Sequence, residues 1–254
     1  MKVELELEKS AGENADDYFK RAKKLGAKAE AAKAAITESE RKIAELEAKA
    51  AEPQSVEETT LKDRKWYEKF RWFTSSAGRI IIGGRDATTN EILIKKHAKP
   101  DDLVFHADVT GSPFFLAPAD ASPQEILETA IATASYSRAW KFGVGELEVY
   151  YVKASQLTKA AKAGEYISKG SFMIYGERKF IKAPMEVAVG FSEEVLGGPA
   201  SAIAAQTKNF VTIHPGRMKP SDAAKFIRSK LGIKESLDEI IRFFPPGECD
   251  ITGH

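Results

Sequence analysis

Ten positions spaced alternately four and three residues apart constrain this chain more than any other feature: Tyr18, Ala22, Leu25, Ala29, Ala32, Ile36, Ser39, Ile43, Leu46 and Ala50. That spacing keeps one stripe on one face of a continuous helix and is the seam of a coiled coil. Ser10 and Glu13 have the spacing of a capping box that would open the helix, and Pro53 ends it. Many stripe residues are alanine, so the seam is thin and two backbones could approach closely. A second helical piece is expected from Val56 to Phe70, folding back as an antiparallel partner. The arm either packs as a hairpin on its own domain or projects to touch a large partner. Ahead of it, Val3, Leu5 and Leu7 alternate with charges as in a short strand.

Beyond the arm the pattern changes to short apolar runs punctuated by glycine and proline. Arg79 to Ile82 reads as a strand ending at Gly83-Gly84, and Ala87 to His97 as a helix. Strands follow at Leu103 to Asp108 and Phe114 to Ala117. Ser122-Pro123-Gln124-Glu125 combines an N-cap, a proline in the first turn and a capping box. The helix it opens has Ile126, Leu127, Ala130, Ile131 and Ala134 on one face. Glu146 to Lys153 is a strand; Ser171 to Tyr175 and Arg178 to Lys182 read as a hairpin around Gly176-Glu177. After Pro184 comes a βαβα order: strands at Glu186 to Gly190 and Phe210 to Ile213, an Ala-rich helix after Gly197-Gly198-Pro199, and helices at Ser221 to Leu231, stopped by Gly232, and Leu237 to Phe244. The expected fold class is α+β: a mixed sheet packed with helices, preceded by an N-terminal helical hairpin or coiled-coil arm. The expected domains are an arm over 1–65, a core over 66–183 and a C-terminal extension over 184–254.

Charge narrows the function. The 38 basic and 37 acidic residues nearly cancel over 254 positions. The whole molecule is therefore no generic polyanion binder, and any nucleic-acid surface must be local. One cysteine, Cys249, excludes an internal disulfide and a Cys-rich zinc site; it reads as a passive tail residue. No apolar run reaches the ~18 residues of a membrane span. The N-terminal segment MKVELELEKS is too charged for a secretory signal. A soluble intracellular protein is expected.

Several groups could carry chemistry. Asp86 either caps the helix that follows it or leaves free helix amides for an anion. Lys95 and Lys96 suit the C-terminal end of that helix, where cations offset its dipole. His106 and Asp108 lie two apart on a strand and share a face. With Asp86, and Glu91 near in sequence, they could form a divalent-ion site for phosphodiester cleavage; alternatively they simply hydrogen-bond each other or backbone. Tyr136, Arg138, Trp140 and Lys141 bring aromatic and basic groups together. The loop from Lys153 to Gly170 carries Lys153, Lys159, Lys162 and Lys169 against one acid, Glu165. It adjoins Arg178 and Lys179, with Tyr166 and Phe172 as stacking faces, which is the footprint of nucleic-acid binding. No nucleophile–base grouping and no P-loop occurs. Three classes of function follow: an RNA-binding module, a metal-dependent nuclease using His106, Asp108 and Asp86, and a scaffold whose arm docks a protein. In the first, Arg85, Lys95, Lys96, Lys162, Arg178 and Lys179 hold the RNA backbone, Tyr166 stacks, and His106 and Asp108 shape the pocket or touch a sugar or base edge. It needs no catalytic residue, metal or cofactor.

The stretches WYEKFRWF, GGRDATTNE, FHAD with its following Gly-Ser, and GEYISKGSFMIYG, in that order between Trp66 and Phe180, resemble the NFACT-R domain. The form is most similar to archaeal members of the NFACT family of ribosome-associated quality-control factors. The segment ENADDYFKRAKKL resembles the start of that family's middle coiled coil. The resemblance implies binding of tRNA or ribosomal RNA and of the large ribosomal subunit carrying a stalled peptidyl-tRNA, in the cytoplasm, with no membrane. The family's N-terminal domain and helix-hairpin-helix region have no counterpart in these residues. The resemblance thus leaves two alternatives: a split or truncated member whose partner chain supplies the N-terminal domain, or a stand-alone form acting in RNA processing or modification.

Overall fold

The structure, a computed structural model, describes residues 4–51, 65–160 and 167–252. The chain divides into two compact units, Met1–Asp63 and Arg64–His254. The first is built on α1 (Ala11–Ala51), one helix of 41 residues. Its capping box forms: the Ser10 amide donates to Glu13 Oε2 at 2.8 Å, and the Glu13 amide donates to Ser10 Oγ at 3.3 Å. The strand expected around Leu5 does not form. Buried Asn14 accepts from the Glu6 amide and donates to the Glu6, Lys9 and Ser10 carbonyls. These bonds curl the leader over the start of the helix and leave Leu5 and Leu7 exposed. Tyr18, Leu25, Ile36 and Ile43 of the heptad stripe are also exposed. The expected partner helix falls mostly outside the described residues. Its last described portion is not α-helix but a 3-10 turn, Trp66–Lys69.

The second unit contains two sheets. Its strands are β1 (Arg71–Thr74), β2 (Ile80–Gly83), β3 (Leu103–Ala107), β4 (Phe115–Ala117), β5 (Glu146–Lys153), β6 (Leu157–Thr158), β7 (Met173–Ile174), β8 (Lys179–Pro184), β9 (Val187–Phe191), β10 (Val195–Gly198), β11 (Phe210–Met218) and β12 (Cys249–Thr252). The six-stranded sheet has the order β1-β2-β4-β3-β5-β8, and its pairings are antiparallel. The sequence-based hairpin at Gly176 does not form. Instead β7 pairs with β6, and β8 pairs with β5 over six residues. That choice sets Ile181 beside Val149 and Ala183 beside Leu147, which removes more apolar surface from water than a short hairpin would.

The helices of this unit are α2 (Ala87–Ile92), α3 (Pro123–Ser135), α4 (Ala200–Ala204), α5 (Pro220–Leu231) and α6 (Leu237–Ile241). Strand alternation gives the sheet two faces. Phe73, Ile81, Phe105 and Phe115 face α3, and with the second sheet, β10-β9-β11-β12, they form the main core. Ile82, Val104, Leu116, Tyr150 and Val152 face the other way, under Leu93 and Phe70. The C-terminal region is tied to the first sheet's layer through Tyr136, whose hydroxyl donates to the Phe243 carbonyl at 2.7 Å. Trp140 Nε1 likewise donates to the Glu248 carbonyl at 2.8 Å. Cys249, expected as a tail residue, is buried in β12 against β11.

The start of α3 is anchored as its sequence implies. Ser122 and Glu125 complete the capping box, and the buried Glu125 carboxylate also accepts from Ser75 Oγ at 2.9 Å and Arg79 Nε at 2.7 Å. These bonds fix the β1–β2 hairpin to one end of α3. The other end carries Tyr136 and leads into Arg138.

Candidate nucleic-acid interface

At the ends of β2 and β3 and the starts of β1 and β4 the six-stranded sheet opens into a cleft of about 640 Å³. Its walls come from α2, the Val109–Pro113 turn, the end of α3 and the segment Lys169–Phe172. Strand register explains what meets there. Arg71 lies opposite Gly83, Gly83 opposite Phe115, and Phe115 opposite Phe105. The next row brings His106 beside Tyr150 and Tyr150 beside Phe180.

One group of lining residues is cationic. Arg71 lies over the Tyr136 ring, its guanidinium 4.3 Å from the centroid. Among the described residues no carboxylate pairs with it. Burial holds it below the usual arginine value, the neighbouring Arg85 adds to that effect, and Tyr136 opposes it. Arg85 is held from behind, where its Nε donates to the Phe70 carbonyl at 3.0 Å and Nη2 to the Glu68 carbonyl at 3.4 Å. Arg138 lies against Gly111, which adopts φ +84°; a Cβ there would meet Arg138 Nε at 3.1 Å. Lys169 completes this lining.

A second group of lining residues is aromatic. The Phe114 and His106 rings are 4.4 Å apart, and Phe172 meets Phe114 edge-on at 5.7 Å. His106 Nδ1 is 3.2 Å from the Tyr150 hydroxyl. Burial pushes the His106 pKa down to about 4, aided by Arg178 and opposed by Asp108 and a backbone bond at Ser112. His106 is thus neutral near pH 7 and acts as a wall rather than a proton carrier.

The cleft's acid is engaged. Asp86 Oδ1 accepts from the Thr89 amide at 2.8 Å and caps α2. This holds its carboxylate below the usual range. Of the two readings of Asp86, the cap is the one that folds. The paired glycines also serve packing. A Cβ on Gly84 would stand 1.8 Å from Asn90 Oδ1, and one on Gly83 would press into Phe115 at 2.6 Å. Asn90 Oδ1 in turn accepts from the Phe114 amide at 3.2 Å.

The residues singled out from the sequence are partly gathered. Arg85 and His106 line the cleft. Arg178 stands at its margin, 4.6 Å from the Tyr150 centroid. Asp108 is exposed nearby and contributes to the fields felt by His106 and Tyr150. Lys95 and Lys96 sit on a π-helical turn, Leu93–His97, where the single expected helix changes its winding. Lys95 bonds Glu91 at 2.6 Å and faces a shallower groove with Lys99 and Lys159. Lys179 lies opposite Tyr151, so alternation directs it to the α3 side of the sheet, away from Arg178 and Phe180. Lys162 and Tyr166 lie outside the described residues. Among the described residues no three His, Cys, Asp or Glu side chains are grouped to hold a metal ion. Arg71 was not among the sequence-derived site residues, and Arg138 was noted only as part of the aromatic and basic group Tyr136, Arg138, Trp140 and Lys141. A signal for Arg71 existed: an arginine set between aromatic residues, Phe70 and Trp72-Phe73.

Residues 69–176 match the family model described as NFACT protein RNA binding domain, a span that includes every lining residue of the cleft. The archaeal Rqc2 homolog aRqcH of Methanocaldococcus jannaschii is 37% identical over 203 residues, covering 75% of this chain and 30% of that protein. The ribosome quality control complex subunit NEMF of Homo sapiens is 36% identical over 189 residues, covering 70% and 17%. The NEMF homolog of Drosophila melanogaster is 33% identical over the same length, 70% and 18%. The chain therefore spans less than a third of the length of these relatives.

Proposed function

Because this chain belongs to the NFACT family through its RNA-binding domain, we propose that it binds RNA of the translation machinery, tRNA or ribosomal RNA. The setting is ribosome-associated quality control of stalled nascent chains at the large ribosomal subunit, in the cytoplasm. The protein acts as a binding module, without a catalytic group or cofactor of its own. One observation carries the reading: within the matched span, guanidinium groups converge on a cleft whose acid is already used as a helix cap. The Arg71 guanidinium, which no carboxylate offsets among the described residues, attracts phosphates, and phosphate contacts supply affinity rather than sequence reading.

Among the described residues no helix is long and apolar enough to cross a membrane. The exposed stripe on α1 favours a second contact, with protein or ribosome, made by the arm.

The test is binding of tRNA and of purified large subunits over a range of salt concentrations. Affinity should fall steeply as salt rises. Reversing the exposed Lys169 and Arg178 to glutamate should each cost about 1 kcal/mol or more at low salt, by the worth of a charged hydrogen bond. A folded double variant that binds both partners as the parent does would refute the reading.

A further inference from the structure

We propose that the cleft is a pocket for one phosphate-bearing nucleotide, with its phosphate held by Arg71, Arg85 and Arg138 and its base against the Phe114–His106–Tyr150 wall. This deepens the RNA-binding reading and rests on it for the source of the nucleotide.

Arg71 is the central observation. It is half-buried and fixed over Tyr136, yet among the described residues it has no carboxylate and no hydrogen-bond acceptor. A guanidinium carries five N–H donors in a rigid fork that matches phosphate geometry. None of its nitrogens is sealed off without a partner in the interior, so those donors open onto the cleft that Arg71 lines. Leaving a desolvated cation beside a second cation, Arg85, is costly to the fold. Such a cost is characteristic of a site whose missing partner is a ligand. Arg85 is preorganised by two backbone carbonyls. Arg138 lines the same space, where a Cβ on Gly111 would crowd its Nε at 3.1 Å.

The remaining space fits a nucleotide rather than a bare anion. At about 640 Å³ the cleft is far larger than a phosphate needs and lies in the usual range for small organic ligands. Its lining includes an aromatic group, Phe114, His106 and Tyr150, and the polar edge of His106 is occupied by the Tyr150 hydroxyl and by Ser112 backbone. What that wall offers is stacking surface, which tolerates any base. Unstacked nucleotides are the form in which RNA presents base faces to proteins. The same chemistry would accept a free nucleoside monophosphate, so source and site need separate measurements.

The experiment uses the full chain. AMP, adenosine and inorganic phosphate are titrated by calorimetry, and a single-stranded RNA oligonucleotide and tRNA by fluorescence anisotropy. The variants are Arg71→Met and Arg138→Gln; Arg138 is exposed and its loss leaves the core intact. AMP should bind at least tenfold tighter than adenosine, and each variant should weaken AMP at least tenfold and RNA at least fivefold. AMP binding that depends on Arg71 with no RNA binding by the parent would sustain the pocket, assign it to free nucleotides and refute the RNA reading. RNA binding unchanged in a folded Arg138→Gln chain, or AMP and adenosine binding alike, would overturn the pocket while leaving RNA binding by another surface intact.

Discussion

Replacing Arg79 by methionine isolates the clamp that places the site's framework. Glu125 is buried, and its carboxylate is held by Arg79, Ser75 and Ser122. The arginine is the largest cause of its pKa falling from 4.5 to about 2. Without Arg79 the carboxylate stays buried with hydroxyl and amide donors alone. If its pKa returned to the ordinary value, the loss would be about 3 kcal/mol at neutral pH, the worth of that difference. For a unit of this size the melting temperature should drop by about 6–12 °C. Urea unfolding at pH 7 reads the change as a lower midpoint at unchanged slope.

The sign with pH is fixed. A carboxylate whose folded pKa is depressed stabilises above its unfolded value, and that stability drains away as pH falls from about 4.5 toward about 2. The difference between parent and Arg79→Met should therefore be largest above pH 5 and shrink in acid. RNA affinity of the folded variant should be unaffected, because α3 separates the clamp from Arg138 by about 20 Å at 1.5 Å per residue. A loss under 1 kcal/mol at pH 7, or one that grows on acidification, would refute the reasoning.

Further expectations follow from the cleft. His106, depressed to about 4 by burial, stabilises the fold above about pH 6.5, and roughly 3 kcal/mol should be lost between there and pH 4. His106→Phe should flatten that window in a pH series of urea midpoints, and an identical profile would contradict the assignment. Arg71→Met removes a desolvated cation that no carboxylate offsets and should leave stability unchanged or raise it by about 1 kcal/mol, despite the lost cation–π contact; a drop above 2 kcal/mol by calorimetry would contradict this. Gly170 has φ +80°, and a Cβ would stand 2.5 Å from the Ala87 Cα. Gly170→Ala should therefore lift the Lys169–Phe172 wall off α2, seen as faster amide exchange there and weaker nucleotide binding, and intact binding would count against that wall's role.

The sequence was most informative where a local rule has one physical solution. Ser122 and Glu125 are three apart before an apolar helix, and they form the capping box that such spacing demands. It misled where pairing is decided at long range. Met173 and Lys179 flank a glycine turn, as hairpin residues do, yet β8 gains more by extending β5. The same limit hid β1: RWFT is too short to declare its alternation until Ile80–Gly83 pairs with it. At the site, Arg85 and His106 were found because they sit beside recognisable punctuation, a Gly-Gly pair and a strand end. Arg71 and Arg138 are 67 positions apart and line one cleft because Tyr136, at the end of α3, packs against Arg71 of β1.

With 38 basic and 37 acidic residues, the location of any anion site depends on how charges are paired rather than on how many there are. Three of the lysines singled out in sequence are spoken for: Lys95 and Lys159 both reach Glu91, and Lys153 reaches Asp101. Long flexible ammonium groups on the surface find carboxylates at little cost, and such pairs contribute little. Arginines held in place by ring or backbone contacts cannot swing to a distant acid. Arg71 is pinned by Tyr136, and Arg85 by the Phe70 and Glu68 carbonyls. The Arg71 charge, which no described carboxylate offsets, therefore remains at the cleft whatever the surface lysines do. A protein that is nearly neutral overall can in this way present a strong local field to one phosphate without becoming a general polyanion binder. The same logic ranks the residues: neutralising surface lysines should change RNA affinity modestly and mainly at low salt, whereas altering the pinned arginines should reduce it at every salt concentration.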